Sequence, residues 1–186
     1  MTKALKKDAT YADLYSVPEN FVAEILGGEL YASPRPAYPH AFSASALGVQ
    51  IGGPFQFGVN GPGGWLVLFE PELRMGNDVL VPELAAWRRE RLPAVSTGEY
   101  PAIAPDWICE VLSPSTARID RAKKLAIHAR ESVRYAWLVD PLQETLEVLE
   151  LESARWTLLA THEAAARVRA EPFAAVELDL GSLWAR

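Results

Sequence analysis

The stretch that decides the fold is Ala104–Pro141, APDWICEVLSPSTARIDRAKKLAIHARESVRYAWLVDP. Its pattern indicates a buried strand, a polar turn, a helix and a second buried strand. Further strands are predicted on both sides of it, and we find neither an internal repeat nor a domain linker. The 186 residues therefore fit a single α/β domain with a mixed sheet, in which residues 1–18 form a lead-in segment.

The composition excludes some classes of protein. The net charge of −6 argues against a protein that coats nucleic acid electrostatically, although a local basic patch on an enzyme stays compatible. No apolar run approaches the roughly 20 residues that span a bilayer, and the N-terminus lacks the apolar segment of a signal peptide. Cys109 is the only cysteine, so an intramolecular disulfide is excluded. We therefore expect a cytoplasmic protein without a membrane partner.

The flanking segments supply the other predicted elements. Strands are predicted over Phe21–Ala32 with a turn at Gly27-Gly28, then over Trp65–Leu73, Val79–Trp87 and Thr145–Leu151, with further strands from Trp156 onward. A helix is predicted from about His40 to Ile51. A charged connection, Arg88–Tyr100, precedes the central stretch. The predicted order is therefore strands, helix, strands, helix, strands.

Glu110 is the residue of the central stretch that most needs an explanation. Side chains alternate along a strand, so Ile108, Glu110 and Leu112 share one face. A carboxylate in such apolar surroundings is costly unless a cation or a metal ion compensates it. Glu83 stands in a similar apolar strand. Two carboxylates from neighbouring strands could bind a hard cation such as Mg²⁺, or each could pair with a nearby arginine. The spacing alone favours ion pairs.

The helix after the SPST turn has two lines of residues. The first is a predicted core stripe of Ala122, Leu125, Ala126, Ala129 and Val133. The second recurs every four residues on a different face and consists of Asp120, Lys124 and His128. It forms either plain solvent surface or the wall of a cleft, and the helical pattern by itself favours solvent surface.

Several motifs of the chain carry a family resemblance. They are EILGGELYASPRP at 24–36, His40, DVLVPELAAW at 78–87, PDWICEVLSPSTARIDRAKKL at 105–125 and VRYAWLVDP at 133–141. In this order they resemble the Uma-two family of the PD-(D/E)XK nuclease-like superfamily, which contains restriction endonucleases. The resemblance covers roughly residues 20–150. It implies a restriction-endonuclease-like core, that is, a mixed β-sheet flanked by helices, with extra strands at the C-terminus.

The resemblance also implies the residues of a catalytic site. Glu83 would take the acidic position of the PD element, and Glu110 would be the glutamate of (D/E)XK. Leu112 stands where the lysine of that motif is expected, and the resemblance transfers its role to Lys124 on the following helix. Glu83 and Glu110 would then hold Mg²⁺, with Mn²⁺ as a substitute, while Lys124 acts on the attacking water or on the developing charge. The implied supporting residues are Glu29 and Glu72 as extra metal ligands, His40 and Asp120 near the metal or substrate, and Ser113 as a hydrogen-bonding group.

Two functions follow from this resemblance. The first is a Mg²⁺-dependent endonuclease that hydrolyses phosphodiester bonds in DNA, with a homodimer expected because two strands require two sites. The second is a catalytically silent nuclease-like domain that acts in nucleic-acid binding or assembly. The acidic net charge, the glutamate at position 83 and the displaced lysine favour the second function.

Overall fold

A computed structural model describes residues 3–92 and 103–185. Its strands are β1 Phe21–Leu26, β2 Glu29–Pro34, β3 Trp65–Phe69, β4 Leu73–Met75, β5 Asp78–Leu80, β6 Leu84–Arg88, β7 Trp107–Val111, β8 Tyr135–Asp140, β9 Thr145–Glu152, β10 Arg155–Glu163, β11 Arg167–Val168 and β12 Leu178–Asp179. Its α-helices are α1 Tyr11–Leu14, α2 Tyr38–Ile51, α3 Ala117–Ile119 and α4 Leu125–Arg130. Most of the predicted connection Arg88–Tyr100 lies outside the described residues.

Shorter helical turns complete the fold. A π-helical turn, Gly52–Gln56, prolongs α2, and a second one, Asp120–Lys124, joins α3 to α4. Two 3₁₀ turns lie at Arg89–Arg91 and Leu180–Leu183. Within the described part of the chain, no helix is both long enough and apolar enough to cross a membrane.

The main sheet has six strands in the order β10-β9-β8-β7-β6-β3. Strands β7 and β8 are parallel, and the other neighbouring pairs are antiparallel, so the sheet is mixed. The chain between β7 and β8 forms the helical segment 117–130. A four-stranded antiparallel sheet, β2-β1-β5-β4, and the short pair β11-β12 accompany it. The predicted fold class, a mixed sheet with helices and additional C-terminal strands, is confirmed.

Two apolar cores lie on opposite faces of the main sheet. Trp107, Cys109 and Val111 of β7 point into one core, which α2 and the C-terminal segment around Phe173 complete. Ile108 points into the other core, together with residues of the four-stranded sheet and of α4. The alternation predicted for this strand is therefore confirmed, and Glu110 extends toward the second core's side.

One predicted strand is wrong in a way that matters for the site. Val79–Trp87 is not continuous, because the chain leaves the small sheet after β5 and enters the main sheet at β6. Pro82 has no backbone N–H to donate within a sheet, which explains the break. Glu83 therefore lies in the junction, where its carbonyl accepts a hydrogen bond from the backbone N–H of Glu70 (3.0 Å). The predicted strand Trp65–Leu73 is likewise interrupted, since Glu70 adopts a positive φ of 43°.

The predicted core stripe of the helix is confirmed only for Leu125 and Val133, which lie in the core. Ala122 and Ala126 are exposed, whereas the line at four-residue spacing is buried. The buried residues Asp120, Lys124 and His128 are 2 %, 5 % and 0 % exposed. The π-helical turn Asp120–Lys124 inserts an extra residue into the helical repeat and rotates the faces on either side of it. Asp120 and Lys124 of this line therefore lie at the wall of a cavity, His128 is buried in the interior, and the line is not solvent surface.

Candidate active site

A cavity of about 400 Å³ opens where β6 begins and β7 ends. Five of the residues predicted for the site line it, namely His40, Glu83, Ser113, Asp120 and Lys124. They come from α2, from the junction before β6, and from the turn and helix after β7. The structure thus brings together residues that are distant in the sequence.

Lys124 lies at the centre of a buried carboxylate cluster. Its Nζ is 3.0 Å from Glu24 Oε1, 3.1 Å from Glu110 Oε2 and 3.4 Å from Asp120 Oδ1. The sequence left open whether a metal ion or an ion pair compensates the charge of Glu110. In this structure the compensating charge is the ammonium of Lys124. The partner is the ammonium of the following helix and not an arginine.

Glu110 is more deeply buried than a cavity-lining residue. It is 1 % exposed, and it does not belong to the cavity wall. Its Oε2 accepts a hydrogen bond from Lys124, while its Oε1 has no hydrogen-bond partner among residues 3–92 and 103–185. Nε2 of His128 lies 3.7 Å from that oxygen, which is too long for a hydrogen bond. One carboxylate oxygen is therefore buried and unsatisfied.

Glu83 stands next to Glu110 because of the strand register. Leu84 of β6 pairs with Cys109 of β7 in antiparallel order, so the next position on each strand brings the two glutamates together. Glu83 Oε2 accepts a hydrogen bond from the Val111 N–H (2.9 Å), and Oε1 lies 3.0 Å from His40 Nε2. Both oxygens of this carboxylate therefore have fixed positions at the cavity wall.

The structure adds Glu24, which sequence reasoning missed. Its Oε1 contacts Lys124 and accepts a hydrogen bond from the Val81 N–H (2.8 Å). Glu24 also lines the cavity and is buried. A signal for it existed, since it is a single carboxylate within the apolar strand FVAEIL, just as Glu110 is within WICEV. The criterion that singled out Glu110, a lone carboxylate in an apolar strand, therefore also identifies Glu24.

The charges of the cluster depend on one another. Burial raises the pKa of Glu110 well above its usual range, and the carboxylates of Glu83, Asp120 and Glu24 raise it further against the effect of Lys124. Burial also raises the pKa of Asp120 to about 6. Burial alone would lower the pKa of Lys124, but the surrounding carboxylates outweigh burial and hold that pKa well above its usual range. The lysine is therefore a stable ammonium.

The His40–Glu83 pair shows the same balance between burial and charge. Burial lowers the pKa of His40, but the contact with the Glu83 carboxylate outweighs it and leaves the pKa raised. Burial raises the pKa of Glu83, while the hydrogen bond from His40 and the charge of Lys124 bring it below its usual value. An ionised Glu83 at the cavity wall is the consequence.

The two glutamates predicted as extra metal ligands lie elsewhere. Glu29 pairs with Lys123 at 2.9 Å and accepts a hydrogen bond from the Tyr31 hydroxyl. Glu72 pairs with Arg74 at 2.9 Å. Neither glutamate lines the cavity. The structure therefore does not bring Glu29 and Glu72 to the site, because each of them pairs with another cation.

Many of the clustered basic residues already have acidic partners. Ion pairs join Arg91 to Asp106, Arg121 to Glu147, Lys123 to Glu29, Arg130 to Asp78 and Arg134 to Glu150. These five basic residues therefore form ion pairs at the protein surface and do not form a free basic patch. At the cavity itself, Arg35 pairs with Glu70 at 3.0 Å, and Lys124 contacts the carboxylate cluster.

The donor set of the cluster suits a hard divalent cation in its chemistry. Carboxylate oxygens are the ligands that Mg²⁺ prefers, and the unsatisfied Oε1 of Glu110 is one of them. Across residues 3–92 and 103–185, however, no three acidic, histidine or cysteine side chains converge as a preformed metal site. The cation that these carboxylates contact is Lys124. The residues fit the metal, but their present arrangement holds the lysine.

Comparison with known proteins assigns the family. A family model described as "Uma2: Putative restriction endonuclease" matches residues 8–181. The chain belongs to the Uma2 family. The match spans both sheets and every residue of the carboxylate cluster, so the resemblance inferred from the sequence motifs is confirmed. No curated protein sequence matches the chain.

A solved structure supports the fold of this Uma2 protein. A crystal structure described as a "putative nuclease belonging to DUF820", from Anabaena variabilis, superposes with a TM-score of 0.73. The identity is 23 %, and the match covers 95 % of this chain and 97 % of the other chain. At this level of identity the similarity establishes the shared fold.

Because His128 is completely buried, we predict that it makes the stability of the protein depend on pH. Burial, together with the charge of Lys124, lowers the pKa of His128 to about 3, whereas the unfolded chain has a histidine pKa of about 6.5. The unfolded state therefore binds a proton first, and the contribution of His128 to stability falls as the pH drops below 6.5. We expect His128→Phe to remove about 2 kcal/mol of the stability loss between pH 8 and pH 5.

Urea unfolding of chelator-treated wild-type and His128→Phe proteins at the two pH values measures this effect. The ring nitrogens of His128 have no hydrogen-bond partner in the part of the chain that the structure describes, so the phenyl group leaves no donor there unsatisfied. His162→Phe on β10 is the matched control and should keep the wild-type difference. The same pH dependence in wild type and His128→Phe would contradict the prediction.

Proposed function

We propose that this protein is a Mg²⁺-dependent endonuclease that hydrolyses phosphodiester bonds in DNA, with Mn²⁺ as a substitute metal. The observation that carries the proposal is the buried cluster of Lys124, Glu110, Asp120 and Glu24 beside Glu83, in a member of the Uma2 family. Glu83 and Glu110 would hold the metal. When bound, Mg²⁺ supplies charge neutralisation at the scissile phosphate and a more acidic water.

The residues of the chain support this chemistry in separate ways. Glu83 is kept ionised and oriented by His40 and by the Val111 N–H, so its carboxylate needs little rearrangement to act as a ligand. Lys124 lines the cavity as an ammonium and can stabilise negative charge on a phosphate oxygen there. Asp120 and Ser113 line the cavity beside it, where they can contact the substrate or its bound water.

The proposal extends to the assembly that cuts duplex DNA. Each chain supplies one cluster, whereas two strands require two phosphodiester cleavages. We therefore propose a homodimer as the unit that makes double-strand breaks. Sedimentation velocity of the protein with and without DNA tests this, and a monomer that linearises plasmid in one binding event would contradict it.

A second function is favoured by specific observations. The carboxylates already contact Lys124, and no preformed metal site exists among the described residues. The net charge is −6 as well. These features suit a nuclease-like domain that binds nucleic acid or assembles with a partner and carries out no turnover. The activity assay below decides between the two functions.

The proposed nuclease activity is tested by measuring the nicking of supercoiled plasmid in the presence of Mg²⁺, of Mn²⁺ or of a chelator. Glu83→Gln and Glu110→Gln are expected to lose at least about 100-fold in rate, or about 2.7 kcal/mol in activation free energy, because an amide is a poor metal ligand. Glu150→Gln removes a carboxylate of β9 that pairs with Arg134, and this variant should keep the wild-type rate. Equal rates in all four proteins would indicate a contaminating nuclease. An inactive wild type on several DNA substrates would favour the binding function.

A further inference from the structure

We propose that the Lys124 ammonium is the resident cation of the carboxylate cluster and that a divalent cation binds by exchanging with it at Glu110. This inference rests on the proposed function for the identity of the incoming ion. It adds that lysine and metal compete for the same carboxylate group of Glu110 and do not bind to it side by side. The affinity of the protein for the metal is then set in part by how firmly the cluster holds its lysine.

The first part of the proposal, that Lys124 is the bound cation of the cluster, rests on the contacts of its ammonium group. Three carboxylate oxygens, from Glu24, Glu110 and Asp120, lie within 3.4 Å of Nζ. The ammonium donates a hydrogen bond to Glu110 Oε2 and lies within ion-pair distance of the Glu24 and Asp120 oxygens. The side chain of Lys124 is 7 % exposed, so its ammonium is largely shielded from solvent. The lysine therefore behaves as a bound counter-ion of the cluster.

The second part of the proposal, that a divalent cation can bind at Glu110, rests on the unsatisfied oxygen of that residue. Glu110 Oε1 is buried without a partner, although a buried carboxylate oxygen without a hydrogen bond is costly. A divalent cation has more coordination positions than an ammonium has protons, and it accepts both oxygens of a carboxylate. The cluster therefore contains a place that a metal satisfies and its own lysine leaves open.

Charge repulsion prevents the Lys124 ammonium and a divalent cation from contacting Glu110 at the same time. Two positive charges a few ångströms apart in a buried, poorly screened site repel strongly. Metal binding then includes the free energy of detaching Lys124 from Glu110, which lowers the apparent affinity of the wild-type protein. Removal of the ammonium should remove this cost, and metal affinity should rise.

Calorimetric titration of chelator-treated protein with Mn²⁺ measures the competition directly. Exchange predicts that Lys124→Met binds Mn²⁺ at least tenfold more tightly than the wild type. Lys123→Met is the matched control, since it removes the same charge from the adjacent residue, whose partner is Glu29 outside the cluster. Its affinity should equal that of the wild type. Circular dichroism spectra establish that each variant is folded before titration.

The alternative results separate the exchange from the proposed function. Equal or weaker binding by Lys124→Met would overturn the exchange and leave a metal-dependent nuclease intact. A matching gain in Lys123→Met would reduce the effect to general electrostatics and also overturn it. Absence of binding by every protein would overturn both the exchange and the metal dependence.

A measurement on the wild type covers the case in which Lys124→Met does not fold. The buried ammonium should give a protected side-chain ¹⁵N–¹H signal in chelator-treated protein, assigned by comparison with Lys124→Arg. Titration with Mg²⁺, which is diamagnetic, should shift or remove this signal with the midpoint found by calorimetry. A signal that stays unchanged at saturating Mg²⁺ would show that the lysine keeps its place, and the exchange would be wrong.

Discussion

Replacing Lys124 by methionine is expected to lower the free energy of unfolding of the metal-free protein by about 3–5 kcal/mol. Methionine preserves most of the side-chain length but removes the charge. Glu24, Glu110 and Asp120 would then share a buried space without a cation, and each would have to take up a proton or draw in water. The large effect comes from these stranded carboxylates, not from a strong attraction in the wild type.

Urea unfolding in the presence of chelator measures this loss. The double variant Lys124→Met, Glu110→Gln should lose less than the sum of the two single variants, since a neutral amide beside methionine no longer needs a cation. Lys123→Met, which breaks an exposed pair with Glu29, should change stability only slightly. A Lys124→Met protein as stable as the wild type, or additive effects in the double variant, would contradict the assigned role of the ammonium.

Phe173→Ala is expected to destabilise the protein by about 3–5 kcal/mol, which is the usual loss for a fully buried aromatic residue. Phe173 is 0 % exposed, and four aromatic rings surround it. The ring centroids of Phe55, Trp65, Trp107 and Trp137 lie 4.7, 5.0, 5.0 and 5.7 Å from its own. Because three of these rings are rigid indoles, the surroundings collapse poorly into the space that alanine leaves.

Thermal and urea unfolding of Phe173→Ala test this role. Phe57→Ala provides the matched control, since Phe57 is 72 % exposed and its truncation should leave stability nearly unchanged. Phe173→Leu should fall between the two, as it fills part of the space. A loss below about 1.5 kcal/mol for Phe173→Ala would mean that the aromatic cluster relaxes easily, contrary to its packing.

Local periodicity accounts for what could be predicted well. The alternation of WICEV set the two faces of β7 correctly, and the Gly27-Gly28 turn separated β1 from β2 as expected. Both features depend on residues that are neighbours in the chain. The family motifs supplied Glu83, Glu110 and Lys124 as a set, and the structure brings these three residues into one region, with Lys124 directly on Glu110. Their catalytic roles stay predictions.

The helix shows where local reasoning fails. Spacing along an ideal α-helix placed Ala122 and Ala126 in the core and Lys124 on the solvent side. The π-helical turn changes the phase, and its residues give no clear sign of it in the sequence. The burial of Lys124 depends on carboxylates from β1 and β7, which are supplied by other parts of the chain. Periodicity alone therefore could not distinguish a cleft wall from a solvated face.

The sequence by itself determined the mixed sheet, the faces of its central strand and the family to which the chain belongs, because these follow from local alternation and from contiguous motifs. Only the tertiary structure decided that Glu24 joins the cluster, that Glu83 lies between two sheets, and that Glu29 and Glu72 lie outside the cavity. It also decided that Glu110 has Lys124 as its cation. The physical reason is that a buried charge takes whichever partner the folded chain brings within contact distance, and sequence spacing does not specify that partner.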